Sequence, residues 1–289
     1  MQLLHHFSTV TYATLDTIES QAHLWQGAVV KLGFDHPFLL QSILAISALH
    51  KSTGSPSPAR LKETAIRYHD VALVAFRRAL LEVNEDNVSA LFAASCLTVV
   101  YEFGVGGQDN PGKAIDDMVS CIRLVQGVTS IIAPFHQNLE ESSLGPVLQN
   151  GFTPTCNGHV TEILQLHELV DEQYDQERRS VYLEAIDVVH SSFITTVGQI
   201  NLDQSAIGSV LVWPATLPKL FIEQILDRDN VTLVILAYYA VLFHLRRQCW
   251  WLRGWYDNLI REIESELTPE YQRWVMWPKQ IRERSFVQI

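Results

Sequence analysis

Two aspartates four residues apart are the first feature with chemistry in it. Asp171-Glu172-x-x-Asp175 would set Asp171 and Asp175 on one face of a helix, where paired carboxylates can hold a divalent cation and, through it, a diphosphate. That chemistry needs a second metal motif of the Asn-Asp-x-x-Ser-x-x-x-Glu kind downstream, and the sequence contains none. Gln173, Gln176, Glu177, Arg178 and Arg179 surround the pair, so a charged helix end is the better reading and a metal on Asp171 and Asp175 the weak alternative. His167-Glu168-x-x-Asp171 carries an aspartate where a zinc-binding helix needs its second histidine. His5-His6 sits beside Leu3, Leu4 and Phe7, a setting that suits satisfied core histidines. No metal and no cofactor is assigned.

Gly104-Val105-Gly106-Gly107 follows a helical pattern and not a strand, so it lacks the context of a phosphate-binding loop and reads as a helix stop. There is no GxSxG elbow, and no Cys/His pairing stands out for nucleophilic catalysis. Cys96, Cys121, Cys156 and Cys249 lie far apart with no CxxC spacing, which favours thiols acting as small hydrophobes in a reducing compartment. On these grounds the chain leans away from being an enzyme.

The last third is dense in rings: Trp213, Tyr238, Tyr239, Phe243, Trp250, Trp251, Trp255, Tyr256, Trp274 and Trp277. Such side chains pack helices, and they also line pockets for apolar ligands, with tyrosine hydroxyls or His244 as orienting polar groups.

The elements that must position these residues are helical. Apolar spacing of three and four runs from end to end, as in Leu61, Ala65, Tyr68, Ala72, Phe76 and Leu80. The fold class is therefore all-α, an irregular multi-helix bundle forming one domain over residues 1–289. Helices are expected from Phe38 to Leu49, central because it is apolar nearly all round, from Asn87 to Phe103 and from Gly112 to Ile132. A long irregular connection is expected over about 134–159, punctuated by Gly145-Pro146, Asn150-Gly151 and Thr153-Pro154. Beyond it come helices near Val160–Tyr174 and Gln176–Val197, a loop through Asn201 to Pro218, and helices near Lys219–Leu226, Val231–Arg247 and Trp250–Leu267.

Composition excludes several functions. Hydrophobic residues make up 47% of the chain and charged ones 18%, too apolar for a disordered segment. A formal charge of −11 argues against direct nucleic-acid binding, and the pairs Arg77-Arg78, Arg178-Arg179 and Arg246-Arg247 read as solvated helix faces. The run Val231 to Phe243 falls short of the roughly 20 residues of a membrane span, and the N-terminus has no secretory signal pattern.

Several fragments taken together resemble the C-terminal regulatory domain of fungal binuclear zinc-cluster transcription factors, above all the sterol-uptake-control branch. They are Leu3-Leu4-His5-His6-Phe7, Gly33-Phe34-Asp35-His36-Pro37-Phe38-Leu39-Leu40, Leu44 to His50, Ala90 to Ser95, Trp213-Pro214, Leu233 to Leu242, Trp250 to Trp255 and Trp274-x-x-Trp277-Pro278. The resemblance covers nearly the whole chain. It implies an all-helical ligand-sensing domain controlling nuclear entry or activation, divided between nucleus and cytoplasm, without the zinc-cluster DNA-binding module. The ligand it implies is small and apolar, sterol-like or an isoprenoid metabolite, with Tyr238, Tyr239, Leu242, His244 and Trp251 as candidate contacts. Two other readings stay open: a stand-alone biosynthetic enzyme, a cyclase or isomerase reusing the fold, and an interaction module that forms a homodimer through exposed aromatic surface.

Overall fold

The computed structural model describes residues 1–15, 23–107, 112–149, 160–170, 175–201 and 208–281, and these are helical with no strand among them. The first half holds α1 (Gln2–His6), α2 (Val29–Asp35), α3 (Pro37–Ser52), α4 (Pro58–Ala79), α5 (Val88–Gly106), α6 (Ala114–Ile132), α7 (His136–Glu141) and α8 (Gly145–Gln149). The second holds α9 (Thr161–Leu164), α10 (Gln176–Asn201), α11 (Gly208–Thr216), α12 (Lys219–Leu226), α13 (Asn230–Leu245), α14 (Trp255–Glu266) and α15 (Met276–Gln280). Buried apolar residues from Phe7 to Ile281 make one contiguous core.

Local chemistry sets the helix starts. Pro37 and Pro58 occupy first-turn positions, where a fixed φ is helical already and no N–H is lost. His36, before Pro37, is extended at φ −124° and ψ 95°, as a residue preceding proline must be. Asp229 caps α13 by accepting the Thr232 N–H at 3.0 Å. Every residue from Val231 to Phe243 is buried, so α13 is the central helix of the second half. In the first half α3 and α5 play that part, α5 with Ala90, Ala93, Ala94 and Ser95 all buried.

Val88–Gly106 and Ala114–Glu141 are each long and apolar enough to cross a membrane by length and composition. Most of Val88–Gly106 is buried in the bundle, so its apolarity is that of a core helix. α6 is amphipathic, with Ile115, Met118, Ile122 and Val125 inside and Asp116, Ser120 and Arg123 outside.

Five expectations are corrected. The stretch expected to be irregular from 134 contains α7 and α8, Leu139 and Leu144 being buried anchors, while 150–159 lie outside the described residues. The expected helix from Val160 is α9 followed by a 3₁₀ stretch, Gln165–Leu169, because Ile163, Leu166 and Leu169 are buried at every third position, the eclipsed spacing of a 3₁₀ turn. The expected loop from Asn201 contains α11, with Pro214 inside it. The expected helix Trp250–Leu267 breaks at Gly254, whose φ of 84° lies in the left-handed region, leaving a short 3₁₀ turn at Trp250–Leu252 before α14.

The fifth concerns the glycines after Phe103. α5 continues through Gly104 to Gly106, and Gly107 has an ordinary φ of −75°, so they do not act as a left-handed helix stop. They make room for tryptophans instead. A Cβ on Gly107 would lie 2.5 Å from Trp255 Cδ1, one on Gly106 2.9 Å from Trp255 Cζ2, and one on Gly104 3.2 Å from Trp250 Cζ3. One face of α14 then ties off the two helix ends bordering this segment. The Trp255 indole donates to the Phe103 carbonyl at 2.8 Å, and Asn258 Nδ2 to the Gly107 carbonyl at 2.8 Å. Buried Glu262 accepts the Ala114 N–H, at the start of α6, at 2.6 Å. Donors thus meet a helix C-terminus and a carboxylate meets a helix N-terminus, as the backbone's orphan groups require.

Candidate functional site

The five candidate contacts fall into three places. Tyr238, Tyr239 and Leu242 are buried on one face of α13, which packs against α10 and α11. His244, half-buried, points elsewhere, its ring 4.8 Å from that of Tyr256. Trp251 belongs to the α5 junction, edge-on to Phe103 at 5.7 Å. Its indole nitrogen is buried with no acceptor among the described residues.

The face shared by Tyr238, Tyr239 and Leu242 carries paired rings. Tyr238 stacks on Trp277 at 5.1 Å with planes 16° apart, and Trp277 also meets Phe193 of α10 at 5.8 Å. Tyr239 stacks on Trp213 of α11 at 4.2 Å, and Trp213 meets Phe221 edge-on. The Trp213 indole donates to the Ala185 carbonyl at 3.0 Å. Burial pushes both tyrosine hydroxyls above their ordinary pKa, so both stay protonated donors.

The Tyr239 hydroxyl has a definite structural task. Pro214 lacks the N–H that would bond the carbonyl of residue 210, one turn back, and Tyr239 Oη donates to that carbonyl at 3.0 Å instead. Gln126 Nε2, from α6, closes the other end of α11 by donating to the carbonyls of Pro214 and Leu217 at 3.2 and 2.7 Å. A proline sits inside a helix because groups from α13 and α6 answer the backbone it disturbs.

Following the same face of α13 one turn past Leu242 leads to Arg246. The arginine pair at 246–247 does not form a solvated face: Arg247 is exposed, but Arg246 is only 4% exposed. Its guanidinium donates to Gln199 Oε1 at 2.8 Å, and Ser209 Oγ donates to the same oxygen at 3.1 Å. Thr196 Oγ1 and Ser209 Oγ lie 2.9 Å apart. Burial pulls the Arg246 pKa down to about 10, which still leaves it charged near neutrality. Ser192, Thr196 and Gln199, spaced four and three along α10, set a buried polar stripe opposite the rings, and Ser192 Oγ has no hydrogen-bond partner among the described residues.

The contact seam between α10, α11 and α13 therefore combines stacked rings with a buried polar cluster that includes the Arg246 cation. Sequence reasoning named Tyr238, Tyr239 and Leu242 on this face. It missed Arg246, Gln199, Ser209, Thr196 and Ser192, although polar residues at 192, 196 and 199 in a helix otherwise buried through Tyr182, Ile186, Val189 and Phe193 were a visible signal.

Of the weak metal pair, Asp171 lies outside the described residues. Asp175 caps α10, its Oδ1 accepting the Arg178 N–H at 2.9 Å, which is the charged-helix-end role. His167 Nε2 lies 3.0 Å from Asp187 Oδ1. His5 is exposed, whereas His6 Nε2 is buried with no hydrogen-bond partner among the described residues, unlike the satisfied core histidine expected. Its ring lies 5.4 Å from that of His50, and His50 stacks on Trp250 at 4.9 Å. Burial holds the His50 pKa down to about 4.

Comparison with known proteins decides the family. Residues 2–148 match the fungal specific transcription factor domain. The chain belongs to that family. It is 24% identical to Sterol uptake control protein 2 of Saccharomyces cerevisiae, over 92% of this chain and 30% of that protein. It is 25% identical to a Zn(2)-C6 fungal-type transcription factor of Gibberella zeae, over 97% of this chain and 61% of that protein. A third relative, Sterol uptake control protein 2 of Candida albicans, is 23% identical over 88% of this chain and 38% of its own length. The chain thus spans less than two thirds of these relatives. The family match covers α1 to α8, while the α10–α13 seam lies beyond it, within the stretch aligned with the relatives.

Proposed function

We propose that this chain is the ligand-sensing regulatory domain of a fungal zinc-cluster-type transcription regulator. It controls sterol, lipid or secondary-metabolite genes, with a small apolar ligand, sterol-like or isoprenoid, held along the α10–α11–α13 seam. The observation that supports this most is the seam's composition. Tyr238–Trp277 and Tyr239–Trp213 stack on either side of Leu242, and polar groups are gathered at one end, the pattern by which apolar pockets orient a ligand. Family membership and the names of its relatives supply the regulatory half of the reading. With a net charge of −11 the chain itself does not contact DNA, and it works in the nucleus after passing through the cytoplasm.

The test has two parts. Native mass spectrometry of the purified chain with ergosterol or farnesol should show one lipid bound per chain, and binding should weaken at least several-fold in Leu242→Trp, which fills the seam. Fused to a heterologous DNA-binding domain, the chain should change reporter output when cellular sterol is depleted. No lipid retained, together with a reporter indifferent to depletion, contradicts the proposal.

A further inference from the structure

Large apolar side chains left in solvent occur singly along most of the chain, but α4 and the 3₁₀ turn that follows it, Leu80–Glu82, carry several together. Ile66, Val71, Val74 and Leu81 are 51%, 55%, 63% and 83% exposed. The core uses the other side of this helix: Ala65, His69 and Ala72 are buried where α4 packs on α3 and α5. Along one line of the outer side, in steps of three and four, come Ile66, Asp70, Val74, Arg77 and Leu81, all exposed. Their order is apolar, acidic, apolar, basic, apolar. Read backwards it is apolar, basic, apolar, acidic, apolar.

That order makes the line complementary to itself in one orientation only. In an antiparallel pair of α4 helices with its midpoint between residues 73 and 74, Asp70 of each copy opposes Arg77 of the other, Ile66 opposes Leu81, and the two Val74 side chains meet at the axis. A parallel pair would set Asp70 on Asp70 and Arg77 on Arg77. Within one helix Asp70 and Arg77 stand two turns apart, about 10.5 Å, too far to pair with each other. We infer that α4 is the face through which two copies of this chain associate, antiparallel about a two-fold axis at Val74. A two-fold contact uses one patch as both partners, so it requires the self-complementarity that this residue order supplies. The apolar side chains provide the buried area, and the exposed charge pairs fix the orientation more than they add affinity. From Ile66 to Leu81 the contact runs about 22 Å along a single helix, which places it among small, transient interfaces with roughly micromolar dissociation constants. The inference is independent of the ligand reading, and the homodimer it describes is closed by aliphatic and charged side chains and not by an aromatic surface.

Sedimentation equilibrium of the whole chain from about 1 to 100 μM reads the association. The parent should pass from monomer toward dimer across that range. Val74→Glu, which brings two like charges together at the axis, should weaken the dimer by about ten-fold or more. Asp70→Lys and Arg77→Glu should each weaken it by a smaller factor, about three-fold, because each sets like charges opposite one another. The double variant carrying both changes should return to the parent's affinity, and an equimolar mixture of the two single variants should associate more tightly than either alone. All three residues are exposed, so the variants should fold, and circular dichroism checks that they do. A parent chain that stays monomeric at the top of the range overturns the inference. So does a dimer indifferent to Val74→Glu, or single charge variants that neither the double change nor the mixture rescues.

Discussion

The α5–α14 junction and the α10–α13 seam are both rich in tryptophan, and they are closed by opposite means. At the junction, glycines give way so that Trp250 and Trp255 lie against backbone, and α14 answers the helix ends at Phe103, Gly107 and Ala114 with a matching donor or acceptor. In the seam, rings stack in pairs, and one end packs a buried arginine, an amide and hydroxyls. The first arrangement is committed to shape and is costly to disturb. The second spends stability on polar groups in a core, the usual mark of a place kept for binding.

The sharpest way to break the contrast is at Trp255. Trp255→Ala removes a fully buried ring and leaves the Phe103 carbonyl without its donor, and should cost about 3–5 kcal/mol in urea unfolding. Gly107→Ala should follow at about 1–3 kcal/mol, because its Cβ would stand 2.5 Å from a ring held in place by that same hydrogen bond. A Gly107→Ala protein as stable as the parent would mean that the ring is not locked.

On the seam side the informative pair is Tyr239 and Pro214. Tyr239→Phe should lose about 1–3 kcal/mol by stranding the Val210 carbonyl. Pro214→Ala restores the N–H that proline lacks, so the double variant should be more stable than the sum of the single changes predicts. Strict additivity in that double-mutant cycle would show that the Tyr239 hydroxyl does not stand in for the proline.

An effect of pH is expected as well, and it belongs to the junction side. His50 stacks on Trp250 and has its folded pKa depressed to about 4 from 6.5, so the unfolded chain binds more protons between those values. The stabilisation is fully present above pH 6.5 and is lost as pH falls toward 4. Thermal melts of the parent and of His50→Gln across that window should converge as pH drops.

The helical class and most helix positions were legible because buried faces repeat every three or four residues, as at Ala65, His69 and Ala72 of α4. What was not legible depended on partners far away in sequence. Pro214 looked like a loop residue because the hydroxyl that tolerates it comes from Tyr239, and the glycines looked like a helix stop because the rings that need them lie about 150 residues on. Arg246 looked solvated because its neighbour Arg247 is, and only the packing of α10 against α13 brings Gln199 to it. Of the residues named from aromatic density and the resemblance, Tyr238, Tyr239 and Leu242 share one face of α13, whereas His244 packs by Tyr256 and Trp251 by Phe103.

The claim that the seam is the ligand site is tested most directly by hydrogen exchange of the chain with and without saturating farnesol. The account predicts slowed exchange in Gly208–Thr216, the C-terminal half of Gln176–Asn201 and the end of Asn230–Leu245, with Trp255–Glu266 unchanged. Protection confined to Val88–Gly106 and Trp255–Glu266, with the seam unaltered, would contradict it and move the site to the glycine–tryptophan junction.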